Sequence, residues 1–315
     1  MKLLFLFLAG FPAAWADQPD PVTYLNQMGE ALKTLNYHGT LVYSHDGQLE
    51  SMQLIHKKDK NGEYERLVHL SGAPREVIRK NDVVTSYLPD SRSVVVRQRR
   101  FNSHLFAKLS KNIGDFVGVY NILLGGTDRV AGRQTHIILI QPKDQYRYGY
   151  RLWVDQSSGL LLKSELTESG KPLEQMMFVN IEVLKNIPDT MLNPGVSGEA
   201  YTWHHNKKDD RAPSVNANWE VKQLPNGFMV TGHYIQQIQN SDQSAEHLVI
   251  SDGLASISIY IEDIGAENQG YAGAFRKGAV NIYGSKYDNH QVTVVGEVPH
   301  ETVKFIAGSL NHTQK

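Results

Sequence analysis

The chain has 315 residues, a formal net charge of −1 at pH 7 and no cysteine. This near-neutral balance argues against nucleic acid as a bulk electrostatic partner. The absence of cysteine excludes disulfides, thiolate chemistry and lipid attachment to an N-terminal cysteine. The length exceeds what one hydrophobic core usually organises, so two domains are predicted.

Residues 1–16 have the pattern of a cleaved export signal. Lys2 supplies a positive charge, an apolar run follows over 3–11, and Ala14-Trp15-Ala16 is the small-x-small pattern that a signal peptidase cleaves. The apolar run is too short to remain as a transmembrane helix. We therefore predict cleavage between Ala16 and Asp17 and an exported, soluble mature chain. The alternative is a buried N-terminal helix.

Residues 17–190 are predicted to form the larger domain. Asp20-Pro21 begins a helix, because aspartate caps helix N-termini and proline fits the first turn. From Tyr37 onward the apolar residues alternate with a period of two, which is typical of strands. A second helix is predicted over about 103–120. The predicted strands are 40–44, 51–56, 64–70, 83–88, 93–97, 136–140, 148–154, 159–166 and 176–181.

This pattern predicts a mainly β (α+β) fold. We expect one large curved antiparallel sheet, a half-barrel, wrapped on the two helices. The composition changes over 191–217, where Pro194, Gly195 and a charged run at 207–211 indicate a polar linker. Alternation resumes over 218–315 and ends in a helical stretch over 302–310, which predicts a smaller β-rich C-terminal domain.

The histidine pair His204-His205, near Asp209-Asp210, is the one cluster in the sequence worth testing as a metal site. Structural metal sites normally use three or four positioned ligands, so a solvated loop explains the pair better. Neither a Gly-x-Ser-x-Gly nor a His-Glu-x-x-His motif occurs. A triad assembled from distant Ser, His and Asp residues stays open, but no spacing indicates one. We therefore predict a binding protein that is not an enzyme, with no metal and no cofactor.

The segment 271–277, Tyr-Ala-Gly-Ala-Phe-Arg-Lys, is a candidate partner-binding site. Aromatic residues and arginine dominate binding hot spots, and the small residues between them allow a partner's backbone to approach. The alternative is that the two aromatic side chains pack in the core. The predicted partner contacts are Tyr260, Tyr271, Phe275, Arg276 and Lys277.

The concave side of the predicted half-barrel is a candidate lipid pocket, because a sheet curved around two helices often leaves space there. Methionine suits changeable apolar ligands, since its side chain is flexible and polarisable. The same positions could equally form a filled core. The predicted lipid-binding residues are Tyr43, Leu54, Leu67, Trp153 and Met177.

Several motifs spread over both predicted domains resemble the RseB/MucB family. They follow the family's order from about residue 24 to residue 310. The motifs are YHGTLVY at 37–43, GAPREV at 72–77, AGR at 131–133, PKDQYRYGYRLWVD at 142–155, SDGLA at 251–255, GAVNIY at 278–283 and VVGEVP at 294–299.

The resemblance implies a periplasmic negative regulator of the sigma-E envelope stress response. Members of the family bind the periplasmic domain of a transmembrane anti-sigma factor of the RseA/MucA type and protect it from the site-1 protease DegS. The larger domain is similar to the lipoprotein carriers LolA and LolB and is expected to sense lipid or lipopolysaccharide, which releases the anti-sigma factor. The smaller domain is expected to carry much of the anti-sigma contact.

If lipid is to release the anti-sigma factor, linkage sets two requirements. Lipid must bind the released conformation more tightly than the inhibitory one, and the anti-sigma factor must bind the inhibitory conformation more tightly than the released one. A hinge in the linker would suit that exchange. The alternative functions are a periplasmic lipid or lipoprotein carrier, which would transfer lipid between membranes, and an envelope hydrolase, which would turn over an ester or peptide. The sequence leaves the identity of the lipid and the oligomeric state, including a homo-oligomer, open.

Overall fold

The computed structural model describes residues 20–98, 116–205, 212–213, 218–237, 244–265 and 268–313. The predicted signal peptide, 1–16, lies outside these residues. Strands dominate the described chain and form two separate sheets and a two-stranded ribbon. The prediction of a mainly β fold, with a large antiparallel sheet and a smaller β-rich unit, is confirmed.

Twelve strands of the described chain form the larger sheet. They are β1 (Asn36–His45), β2 (Gln48–Asp59), β3 (Gly62–His69), β4 (Glu76–Lys80), β5 (Val83–Leu88), β6 (Ser93–Gln98), β7 (Tyr120–Val130), β8 (Arg133–Pro142), β9 (Gly149–Asp155), β10 (Leu161–Glu168), β11 (Lys171–Leu184) and β12 (Thr202–His205). The order is β12-β6-β5-β4-β3-β2-β1-β11-β10-β9-β8-β7. A first meander, β1 to β6, therefore meets a second, β7 to β11, where β1 pairs with β11.

The first hairpin follows its local sequence closely. Asp46 and Gly47 have φ values of 50° and 74°, which the type I′ turn between β1 and β2 requires. The helix predicted over 103–120 is not tested over 103–115, which lie outside the described chain. Its last part is wrong, because residues 116–119 form a turn and Tyr120 begins β7.

Helix α1 (Pro21–Thr34) covers one face of the second meander, named here the helix-side face. The predicted cap is confirmed, because the Val22 backbone N–H donates to Asp20 Oδ1 (3.1 Å). Leu25 and Met28 are fully buried and share a core cluster with Leu152. Burial of this apolar stripe fixes the helix on the sheet.

The segment predicted as a linker, 191–217, begins by running back over the larger sheet. Arg66 donates to the Met191 carbonyl (3.0 Å), and the Gly195 backbone N–H donates to Glu76 (2.9 Å). Strand β12 then pairs in parallel with β6. The first part of this segment is therefore tied to the larger sheet and is not a free hinge.

The second unit contains nine short strands and a helix among its described residues. These elements are β13 (Ala212–Pro213), β14 (Trp219–Val221), β15 (Met229–Gln237), β16 (Ser244–Ser251), β17 (Ser256–Asp263), β18 (Gly273–Lys277), β19 (Val280–Tyr287), β20 (His290–Gly296), α2 (His300–Gly308) and β21 (Leu310–His312). Seven strands form a sheet in the order β13-β15-β16-β17-β20-β19-β18, and β14 pairs with β21. Helix α2 ends at Gly308, not at residue 310 as predicted, because Leu310 pairs with Val221.

Candidate functional site

The second sheet has two different faces. Ile257, Ile259 and Ile261 of β17 are buried in one cluster with residues of α2. Tyr260 points to the opposite face, named here the outer face, because successive side chains of a strand alternate. On the outer face Tyr260 stacks on His247 with ring centroids 4.4 Å apart.

Strand β18 forms one edge of this sheet. The cross-strand pairs Tyr260–Thr293, Thr293–Gly284 and Gly284–Gly273 place Gly273, and therefore also Phe275 and Lys277, on the outer face. Phe275 is 55% exposed and Tyr271, just before the strand, is 50% exposed. The alternative that these two aromatic side chains pack in the core is therefore wrong.

Tyr271 is held in its exposed position by a neighbouring strand. Gln291 Nε2 donates to the Tyr271 carbonyl (2.9 Å), and the Tyr271 backbone N–H donates to Gln291 Oε1 (2.6 Å). The phenol ring lies against Gly284, where a Cβ atom would collide with it. A side chain that is already fixed loses less conformational entropy when a partner binds.

Arg276 faces away from the outer face. It pairs with Asn281 and alternates with its neighbour Phe275. Its guanidinium donates to the Gly278 carbonyl (2.9 Å) and to Glu168 of β10 (3.3 Å). Four of the predicted partner residues therefore lie on or beside the outer face, whereas Arg276 joins the two units.

The predicted lipid residues do not lie on one face of the larger sheet. Tyr43 pairs with Met176, Met176 with Ser164, and Ser164 with Leu152, which packs on α1. Directly paired residues share a face, so Tyr43 lies on the helix-side face. Leu54 and Leu67 lie on the helix-side face too, since they pair with each other and follow the same alternation along β1 and β2.

Trp153 and Met177 both lie opposite Lys163, on the other face of the larger sheet. The Lys163 ammonium lies 4.0 Å from the centroid of the indole ring, and Trp153 Nε1 donates to Asp128 (2.8 Å). These contacts bury Trp153 to 3% exposure. The prediction that all five residues line one cavity is therefore wrong, and the helix-side set is Tyr43, Leu54 and Leu67.

His56, Glu63 and Glu65 lie close enough together to hold a metal ion. The guanidinium of Arg79 already pairs with both carboxylates, because it donates to Glu65 (2.7 Å) and to Glu63 (2.5 Å). His56 is fully buried, with Nδ1 2.7 Å from the Leu35 carbonyl at the end of α1 and Nε2 3.3 Å from Glu63. The cluster is an ion-pair network that joins α1 to the β2–β3 hairpin.

Glu63 makes the stability of this network depend on pH. Hydrogen bonding to His56, helped by Arg79, lowers the pKa of Glu63 from 4.5 to about 2. Because the folded pKa is the lower one, the stabilisation is present above pH 4.5 and is lost as the pH falls toward 2. We expect Glu63→Gln to remove about 1–2 kcal/mol of the unfolding free energy at pH 6, and less at pH 3, since the side chain is partly exposed.

Urea unfolding at a series of pH values measures this difference between Glu63→Gln and the unmodified chain. Glu182→Gln is the matched control, because Glu182 is 70% exposed and its partner His38 lies 3.5 Å away. If the difference between Glu63→Gln and the unmodified chain does not change between pH 6 and pH 3, the ion-pair network is not the cause.

The other candidates from the sequence do not assemble into a site. His204 and His205 are exposed on β12, and Asp209 and Asp210 lie outside the described residues.

A polar depression of about 380 Å³ lies at Arg133, Gln134, Asp155, Gln156 and Ser157. Within the described ranges, no helix has the length and apolar character needed to cross a membrane.

A buried ion pair joins the two units. The side chains of Arg147 and Asp252 are both fully buried, and Arg147 Nη1 donates to Asp252 Oδ2 (2.9 Å). Arg147 also donates to the Asn226 carbonyl (2.6 Å) and lies over the rings of Phe228 (4.7 Å) and Tyr120 (5.5 Å). A guanidinium held by hydrogen bonds and ring faces is well compensated for its loss of water.

Four of the sequence motifs meet at this interface. Arg147 and Tyr148 belong to 142–155, and Asp252 belongs to 251–255. Asn281, from 278–283, donates to the Tyr148 hydroxyl (3.0 Å) and to the carbonyl of Val298, from 294–299 (2.8 Å). The motifs thus contribute residues to the contacts between the two units.

Residues 20–196 match the family model of the MucB/RseB N-terminal domain, and residues 213–311 match that of the MucB/RseB C-terminal domain. The chain belongs to the MucB/RseB family. The family predicted from the motifs is therefore confirmed.

Relatives within the MucB/RseB family match almost the whole chain. The sigma-E factor regulatory protein RseB of Haemophilus influenzae is 27% identical over 297 residues, which are 93% of this chain and 91% of that protein. The sigma factor AlgU regulatory protein MucB of Pseudomonas aeruginosa is 29% identical and covers 98% of this chain and 96% of that protein. In the solved complex of P. aeruginosa MucA/MucB, a chain 26% identical superposes with a TM-score of 0.76 over 94% of this chain and 100% of that chain.

Proposed function

We propose that this chain is a periplasmic negative regulator of the envelope stress response, which binds the periplasmic domain of a transmembrane anti-sigma factor of the RseA/MucA type. The regulatory names of the two relatives and the MucA/MucB complex support this function, since the match covers more than nine-tenths of the chain. The export signal predicted over 1–16, with cleavage predicted after Ala16, supports the location. We assign the chain no catalytic step, metal or cofactor.

The observation that carries the proposal is the exposed edge strand β18, with aromatic side chains held in place beside it. An edge strand presents backbone groups that an extended partner segment can pair with. We place the anti-sigma contact at Tyr260, Tyr271, Phe275 and Lys277, on and beside the outer face. Phe275 and its neighbour Ile282 supply the apolar surface that the partner would cover.

Binding of this kind explains protection from a DegS-type site-1 protease. A protease must bind its substrate in an extended conformation with free backbone groups. In a segment that is already paired with β18, the backbone groups are occupied and the protease cannot reach them. Protection then lasts as long as the complex does.

Lipid or lipopolysaccharide would release the anti-sigma factor by binding the helix-side face of the larger sheet. Tyr43, Leu54 and Leu67 are half-buried there and pack against the core. Linkage requires only that lipid bind the partner-free arrangement more tightly than the partner-bound one. The helix-side face thus takes the role that a LolA/LolB-like domain implies.

The test is a titration of the chain from Asp17 onward with the periplasmic domain of the anti-sigma factor of its own organism, with and without lipopolysaccharide. We expect saturable binding that lipopolysaccharide reverses and that slows cleavage of the domain by a DegS-type protease. The mass of the complex gives its stoichiometry and any homo-oligomer. Binding of lipid without affinity for the anti-sigma domain would instead support a lipid carrier.

A further inference from the structure

Glu174 of β11 lies where the helix-side face of the larger sheet meets the second unit. Its Oε2 accepts a hydrogen bond from the Tyr43 hydroxyl. Its Oε1 accepts a hydrogen bond from the Ala279 backbone N–H (3.1 Å). One carboxylate therefore contacts a residue proposed to face lipid and a residue in the turn between β18 and β19.

The turn is packed directly on this carboxylate. A Cβ atom at Gly278 would lie 3.0 Å from Glu174 Oε1, and Gly278 has a φ of 57°. Ala279 is fully buried in the core cluster of the first unit. Glu174 thus fixes the turn that ends β18, the strand that carries Phe275 and Lys277.

Tyr43 is a hydrogen-bond donor whenever it contacts Glu174. Burial, and then the hydrogen bond to Glu174, raise the pKa of Tyr43 well above its ordinary value. The hydroxyl consequently keeps its proton throughout the physiological range. Loss of the hydrogen bond from the Tyr43 hydroxyl would leave the partly buried Glu174 carboxylate without one of its donors. An unsatisfied hydrogen-bonding position is costly for a charged group.

We propose that the hydrogen-bonded chain Tyr43–Glu174–Ala279 couples lipid binding on the helix-side face to partner binding at β18. This inference rests on the function proposed above. A lipid that displaces Tyr43 removes a donor from Glu174, so the carboxylate turns toward water and releases the β18–β19 turn. By linkage, the partner lowers the affinity for lipid by the same factor by which lipid lowers the affinity for the partner.

A second contact between the same hairpins offers a matched control. Glu168, at the end of β10, accepts from Arg276 of β18 (3.3 Å). It links the same two units and the same edge strand through Arg276, and no hydrogen bond in the described part of the chain joins it to Tyr43 or Ala279. Glu168→Ala therefore removes a carboxylate from the interface without cutting the proposed chain.

The experiment measures a full thermodynamic cycle. The affinity of the anti-sigma domain is measured with and without lipopolysaccharide, and the affinity of lipopolysaccharide with and without the domain. We expect lipopolysaccharide to weaken partner binding about tenfold or more in the unmodified chain and in Glu168→Ala, but about twofold or less in Glu174→Ala. The conservative variant Tyr43→Phe removes only the hydroxyl. Like Glu174→Ala, it should reduce the factor by which lipopolysaccharide weakens partner binding.

If lipopolysaccharide still weakens partner binding by the full factor in Glu174→Ala, the proposed coupling is overturned. An equal reduction of that factor in Glu174→Ala and Glu168→Ala would also overturn it, because it would indicate general loosening of the interface. Direct lipid titration without partner shows whether each variant still binds lipopolysaccharide. Absence of partner binding in the unmodified chain would contradict the proposed function itself, and the coupling with it.

Discussion

Replacing Arg147 by methionine lowers the free energy of unfolding by about 3–5 kcal/mol, because the fully buried Asp252 carboxylate then has no cation beside it. Methionine keeps much of the apolar stem but removes the guanidinium that lies over Phe228 and Tyr120. Urea unfolding followed by tryptophan fluorescence measures the change, because Trp153 and Trp203 lie in the larger sheet and Trp219 lies in the second unit. The summed signal should shift as a whole, because the ion pair belongs to the interface between the units.

Two variants test whether the loss comes from the unpaired charge. Arg276→Met cuts a second ion pair between the units, in which the Arg276 side chain is 42% exposed, and should cost less than about 1 kcal/mol. Adding Asp252→Asn to Arg147→Met keeps the acceptor for the Leu254 and Ala255 backbone N–H groups while removing the charge, and should restore part of the loss. An Arg147→Met protein as stable as the unmodified chain would contradict this account.

Phe275→Ala weakens binding of the anti-sigma domain by about 2 kcal/mol, or roughly 30-fold. The phenyl ring is 55% exposed in the free chain and lies opposite Ile282, so a partner that covers the outer face buries it. The substitution removes no buried contact of the core, so the unfolding free energy should change little. Titration calorimetry or fluorescence anisotropy with the labelled domain measures the affinity.

The matched control for Phe275 is Leu70→Ala. Leu70 is 56% exposed and follows β3 in the larger sheet, away from the outer face. It should leave the affinity for the anti-sigma domain within about twofold, since exposed side chains outside an interface contribute little. Equal affinities for Phe275→Ala and the unmodified chain would remove β18 from the proposed contact.

Local signals in the sequence predict much of the fold. The Asp46-Gly47 turn determines the first hairpin, and the alternation of Ile257, Ile259 and Ile261 determines which side of β17 is buried. Strands with weaker signals are missed. Strand β7 contains Gly125 and Gly126, where its pairing with β8 shifts between Leu124 and Thr127, and β18 is short and ends in charged residues.

The candidate sites depend on register, which local sequence does not give. Phe275 and Arg276 are adjacent, so in an extended strand they must face opposite sides, and alternation alone could have separated them. The separation of Met177 from Tyr43 requires the pairing of β1 with β11. The contact between Arg147 and Asp252 joins residues 105 positions apart, and no periodicity within either segment indicates it.

The pairing of β1 with β11 also determines the order in which the larger sheet can form. Asn36 of β1 donates to the Lys185 carbonyl, which lies just after β11 and 149 positions along the chain. Within each meander, by contrast, neighbouring strands are joined by short connections. Each meander can therefore form as soon as its own strands are available, but the seam between them closes only after residue 184 has arrived. Such non-local pairing is slow, and until it happens the edges of β1 and β11 are open to pairing with other chains. A newly made molecule is thus most prone to aggregate in the interval before this seam closes.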